Sequence, residues 1–164
     1  MRQNILPYFI VLFLIYGCAT TPVVLQPIQS KKYKDINKYT YVYINQTQPI
    51  TSSSSVGIPG MAPYTGGYYH SVKKTINPSD IISGILMKKG LVIVDNISGN
   101  SSALITSYGQ SGRRDTSSGY TLEVSIQILD AKTKELVYTC TAEGQGKTEA
   151  DDISIAINRC LSEL

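Results

Sequence analysis

The chain has 164 residues, of which 42% are apolar and 16% charged, with a formal net charge of +3 at neutral pH. That length supports one domain with a real core, and the charged fraction falls below the roughly 25% usual in soluble domains. Tyr, Ser, Thr and Gly take the place of the missing charges and favour strands over helices. Basic residues are scattered apart from the pairs Lys31-Lys32, Lys73-Lys74, Lys88-Lys89 and Arg113-Arg114, which argues against nucleic acid as a partner.

Residues 1–17 run from one basic residue, Arg2, through an apolar block from Ile5 to Tyr16 broken only by Pro7. The block is shorter than the ~20 apolar residues a spanning helix needs and fits the core of a signal peptide. It ends in Leu14-Ile15-Tyr16-Gly17-Cys18, which resembles a bacterial lipobox. The resemblance implies cleavage before Cys18, acylation of that cysteine and attachment to a bilayer by several acyl chains. Ile15 and the bulky Tyr16 depart from the commonest pattern, and an ordinary secretory signal with an incidental Cys18 is the alternative. Ala19, where inner-membrane retention would want Asp, implies the outer membrane. The lack of acids just after Cys18 implies a periplasm-facing position.

Residues 18–38 hold Pro22 and Pro27 without a sustained period, and read as a tether. A single domain is expected over 39–164. It opens with a strand over 39–45, where Tyr39, Tyr41 and Tyr43 alternate with Thr40, Val42 and Ile44. Residues 46–64 contain Ser52 to Ser55, three prolines and two glycines, and are expected to form a mobile loop. Asn77-Pro78-Ser79-Asp80 is a helix start, with Asn77 as the cap and Pro78 in the first turn. Ile81, Ile82, Ile85 and Leu86 then form an apolar stripe, and Gly90 stops the helix. Strands follow over 91–94 and 103–108. A glycine-bounded loop over 109–119 bears Arg113, Arg114 and Asp115.

The last 45 residues carry the clearest pattern. Tyr120, Leu122, Val124, Ile126 and Ile128 alternate with polar residues, and Leu136, Tyr138, Cys140 and Ala142 resume the alternation after a polar reversal. Thr148 with Asp151 resembles a capping box, and Ile153, Ala156, Ile157, Cys160, Leu161 and Leu164 form one helical stripe. These elements predict an α+β fold: one mixed or antiparallel sheet of about five strands, with two helices packed on one face. With Cys18 acylated, Cys140 and Cys160 remain as a pair in an oxidising compartment. Both lie in inward phase and are a candidate disulfide if the helix comes close enough at Ala142 and Gly144; two buried thiols are the alternative.

The run Lys88-Lys89-Gly90-Leu91-Val92-Ile93-Val94-Asp95 reads as the end of a helix followed by a strand, and Leu129-Asp130-Ala131-Lys132-Thr133-Lys134-Glu135-Leu136-Val137 is similar to the hairpin of several envelope lipoproteins. With the lipobox and terminal helix, the element order resembles that of the curli-channel lipoprotein CsgG, the amino-terminal domain of TolB and outer-membrane activators of cell-wall synthases. It also resembles Bacteroidota lipoproteins of unknown function. The resemblance implies a fold and an envelope setting; the chain departs from the channel former in lacking an obvious pair of amphipathic membrane hairpins.

Catalytic chemistry is hard to assemble. His70 is the only histidine and has no neighbouring Cys or carboxylate pair, and no cysteine spacing suits a metal. Glu149, Asp151 and Asp152 suit the positive end of a helix without any ligand. Arg113 and Arg114 form a candidate docking point for an anionic partner, a solvated turn being the plainer reading. The expectation is a non-enzymatic binding or assembly module of the envelope, without cofactor or metal, joined to the membrane at Cys18 and to an unidentified envelope protein. The alternative is an envelope hydrolase or its accessory subunit, for which no nucleophile and base present themselves.

Overall fold

The computed structural model describes residues 23–57, 69–98, 102–117 and 119–164. The expected signal segment, Cys18 and part of the expected loop lie outside them. The strands are β1 Gln29–Lys32, β2 Tyr41–Ile44, β3 Ile50–Gly57, β4 Tyr69–Ile76, β5 Val92–Ile93, β6 Ala103–Thr116, β7 Gly119–Asp130 and β8 Leu136–Gly144. The helices are α1 Pro78–Lys88 and α2 Glu149–Ser162, with a 3-10 turn at Ile36–Lys38. Six strands form one sheet in the order β1-β8-β7-β6-β2-β5, and β3 pairs with β4 in a separate ribbon. Pairing is antiparallel from β1 to β6 and parallel from β6 through β2 to β5. The fold is therefore α+β on a mixed sheet, with both helices packed together on one side.

Alternation in β7 and β8 sets the core. Val124, Ile126 and Ile128 stand opposite Ala142, Cys140 and Tyr138. Ile153, Ala156, Ile157, Cys160 and Leu161 of α2 cover them without solvent exposure. The Tyr138 hydroxyl donates to the Cys160 carbonyl at 2.6 Å, so this buried hydroxyl is satisfied. Thr148 caps α2: its Oγ1 accepts from the Asp151 N–H and donates to the Asp151 carboxylate. A Cβ on Gly144 would lie 1.9 Å from the Asp152 carbonyl oxygen and 2.7 Å from the Ala156 nitrogen. This glycine is what lets the helix come down onto the end of β8.

Several expectations need correction. Residues 23–38 of the expected tether are docked: β1 pairs with the β8 edge, Gln29 opposite Thr141 and Lys32 opposite Tyr138. All four β1 residues are exposed, so this strand is held by backbone pairing, which leaves no apolar period to read. Within the expected loop 46–64, residues 50–57 are strand β3. Its base residue Ile50 stands opposite Ile76, both packed against the core, and Thr51 and Thr75 share a hydrogen bond of 2.8 Å. The expected loop 109–119 is instead a continuation of β6 into β7, with Ser111 bulged out and Thr116 opposite Gly119. The count becomes six sheet strands plus a ribbon, in place of about five, and the strand expected over 91–94 shortens to Val92–Ile93.

Asn77 occupies the cap position of α1, but the cap itself differs from expectation. Thr47, from the expected loop, accepts from the Ser79 N–H at 2.9 Å and donates to the Asn77 side chain. Gly90 ends the helix with φ +89.

Candidate functional site

Where β8 ends, the chain preceding β1 crosses the sheet and encloses a groove of about 330 Å³ lined by Gln26, Gln29, Arg114, Glu123, Thr141 and Glu143, among others. Glu143 is only 4% exposed. Its carboxylate accepts from Arg114 Nε at 2.8 Å, from Arg114 Nη2 at 2.7 Å and from the Gln26 N–H at 2.9 Å. The side-on guanidinium, aided by the Gln26 N–H, holds the Glu143 carboxyl down at about 2. Arg159, on α2, completes the clamp by donating to the Glu143 carbonyl and, at 2.8 Å, to the Gln26 carbonyl. Arg114 also reaches the Val24 carbonyl at 3.2 Å. Three side chains thus grip the backbone of residues 24–26.

Arg113 and Arg114 sit in strand β6 and not in a loop, so alternation sends them to opposite sides of the sheet. Arg114 stands opposite Thr121 and is committed to Glu143. Arg113 stands opposite Leu122, with its guanidinium 3.8 Å from the Tyr120 ring centre and an exposed contact to Asp115 at 3.4 Å. The structure therefore does not combine the two arginines into one docking surface.

Cys140 and Cys160 are bonded, with Cα atoms 5.6 Å apart, and both are buried between β8 and α2. A smaller cleft of about 190 Å³ lies between the start of β7 and that of α2, lined by Tyr120, Lys147 and Asp152 among others. Asp152 accepts from the Gly146 N–H, and burial pushes its carboxyl up. Asp151 is held down, chiefly by the Lys74 ammonium. Among the described residues no group of three or more His, Cys, Asp or Glu side chains is placed to hold a metal ion. Also among them, no helix is long and apolar enough to cross a membrane. His70 lies in β4 opposite Val56, and its side chain falls outside the described set, as does Cys18.

The clamp residues Gln26, Glu143 and Arg159 had no signal in the sequence. Their contacts span 117 and 133 residues, and Glu143 sits in the polar phase of its strand, where a carboxylate reads as solvated. Chemically, the groove presents a carboxylate held by three internal donors and a guanidinium whose Nε and Nη2 donate inside the protein. This arrangement binds the chain's own segment.

No protein-family model matches the chain. No curated protein matches it either. Among solved structures it is similar to a PelC dodecamer from Paraburkholderia phytofirmans, at 11% identity, covering 84% of this chain and 95% of that one, with a TM-score of 0.44. A PDZ domain protein from Parabacteroides distasonis matches at 12% identity over 85% of this chain and 36% of that one, also with a TM-score of 0.44. Likeness at this level assigns no function.

Proposed function

We propose that the chain is a lipoprotein anchored at Cys18 in the outer membrane, facing the periplasm, whose α+β domain is a non-enzymatic binding or assembly module of the envelope. The observation that carries this reading is the partition of the three cysteines. Cys140 and Cys160 are bonded to each other, which suits an oxidising compartment, and Cys18 follows the lipobox-like Ile15-Tyr16-Gly17. A module role is supported by the helix-free side of the sheet. There Tyr41 and Tyr43 are half-buried and Val92 is 49% exposed. Beside them the hydroxyl and amide pairs Asn45–Ser107 and Ser125–Thr141 satisfy one another and offer no activated nucleophile.

Acyl labelling tests the anchor: wild type should carry label, and Cys18→Ala should lose it and remain unprocessed. Equal labelling of both removes the proposal's premise. The module role is tested by recovery of the protein from solubilised envelopes. A stoichiometric protein partner is the expected result, and turnover of a wall or lipid substrate by the pure protein would overturn the non-enzymatic reading.

A further inference from the structure

Resting on the anchor at Cys18, we infer that the β6–β7 turn lies against the bilayer that carries the acyl chains, with the sheet standing on end above it. The clamp leaves almost no tether. Arg114 and Arg159 hold the carbonyls of Val24 and Gln26, and Glu143 holds the Gln26 N–H. Val24 is only the sixth residue after Cys18. Even fully extended, that stretch spans about 20 Å.

Direction follows from the register. β1 runs antiparallel to β8, so the chain leading back from Gln29 passes Thr141 and leaves the domain at the Glu143 end of the sheet. That is also the end where β6 turns into β7, since Glu123 stands opposite Glu143 and Gly119 opposite Thr116. The turn therefore projects beyond the clamp on the side from which the anchor departs. The other end of the sheet, at the β7–β8 turn around Lys132, is one strand length away. β7 has 12 residues, or about 40 Å. A bilayer within 20 Å of Val24 can meet the first end and not the second unless the domain lies flat. Two surface features suit an interface: Val24 is 84% exposed at the exit point, and Arg113, in contact with Asp115, and Lys147 are exposed cations near this end of the sheet.

The chain has no tryptophan, so single reporters are easily placed. Full-length S117W and K132W proteins, purified from membranes with their acyl mass confirmed, are reconstituted into vesicles of phospholipid brominated high on the acyl chain. The S117W emission should be lost and the K132W emission unchanged. Equal quenching of S117W and K132W means a flat domain and overturns the inference. Acylated S117W that is shielded from aqueous acrylamide but unquenched by lipid means that protein covers the turn, and also overturns it. Protein without acyl mass instead refutes the anchor, and the orientation falls with it.

Discussion

The β7–β8 pair and the β3–β4 ribbon are both antiparallel ladders, yet they are held by different forces. Along the middle of β7 and β8, the inward residues Val124, Ile126, Ile128 and Tyr138 are shielded completely. At roughly 1.5–3 kcal/mol for each large side chain taken from water, burial dominates that region. The ribbon has Ser52 to Ser54 facing Lys74, Lys73 and Val72, and Val72 is 48% exposed. Its support is cross-strand pairing at roughly 0.2–1 kcal/mol each, a base at Ile50 and Ile76, and two contacts to the start of α2. Those contacts are Lys74 to Asp151, and the Ala150 N–H to Ser52 Oγ at 3.0 Å. An isolated hairpin is marginal in water, so the ribbon depends on α2 for its order while α2 does not depend on the ribbon.

The largest test of this asymmetry is Gly144→Ala. Its methyl would collide with the backbone of α2 at Asp152 and Ala156, where no side chain can give way. A loss of about 4 kcal/mol is expected in denaturant unfolding, near the upper end for one substitution. A loss under about 1 kcal/mol would mean that the helix does not rest on β8 as described. Next comes the bridge. Replacing Cys140 and Cys160 together by Ser opens a loop of sequence separation 20 and should cost about 3 kcal/mol in the chain-entropy picture. Mass spectrometry of unreduced, alkylated wild type should show no free thiol from this pair.

A smaller effect is expected at the clamp. Folding lowers the Glu143 pKa from the ordinary 4.5 to about 2, so the unfolded chain binds the proton more readily. The resulting stabilisation is complete above 4.5 and disappears as the pH falls through about 2. Because Arg114 is 39% exposed, solvent screening reduces its worth to about 1 kcal/mol. Asp152, raised by burial, contributes with the opposite sign on acidification. The difference between wild type and Glu143→Gln, measured by unfolding at matched pH, isolates Glu143: it should be present at pH ~6 and shrink towards pH ~2. A constant difference across that range would show that the carboxylate charge contributes nothing.

The smallest effect belongs to the ribbon. Lys74→Ala removes a partly exposed ion pair and should change global stability by about 0.5 kcal/mol or less. It should lower hydrogen-exchange protection in β3 and β4 while leaving β7 and β8 unchanged. Loss of protection in both regions together would make the ribbon part of one cooperative core and erase the contrast.

Where burial governs, local pattern was enough. The alternation through Ile126 and Cys140, the stripe from Ile153 to Leu161 and the Thr148 cap are each set by neighbours within a few residues, because half-buried strands and helices impose periods of two and 3.6. The sequence therefore determined the class of fold, the helix starts and the phase that turns Cys140 and Cys160 towards each other. Only the tertiary structure decided the rest. β1 and β3 are strands because another chain segment offers them hydrogen bonds, and pairing of that kind needs no apolar period. Arg114, Glu143, Gln26 and Arg159 meet because the amino-terminal segment runs beside β8, a closeness that no spacing along the chain encodes. A backbone donor such as the Gln26 N–H looks the same in every sequence, and its partner is chosen by where the fold brings it.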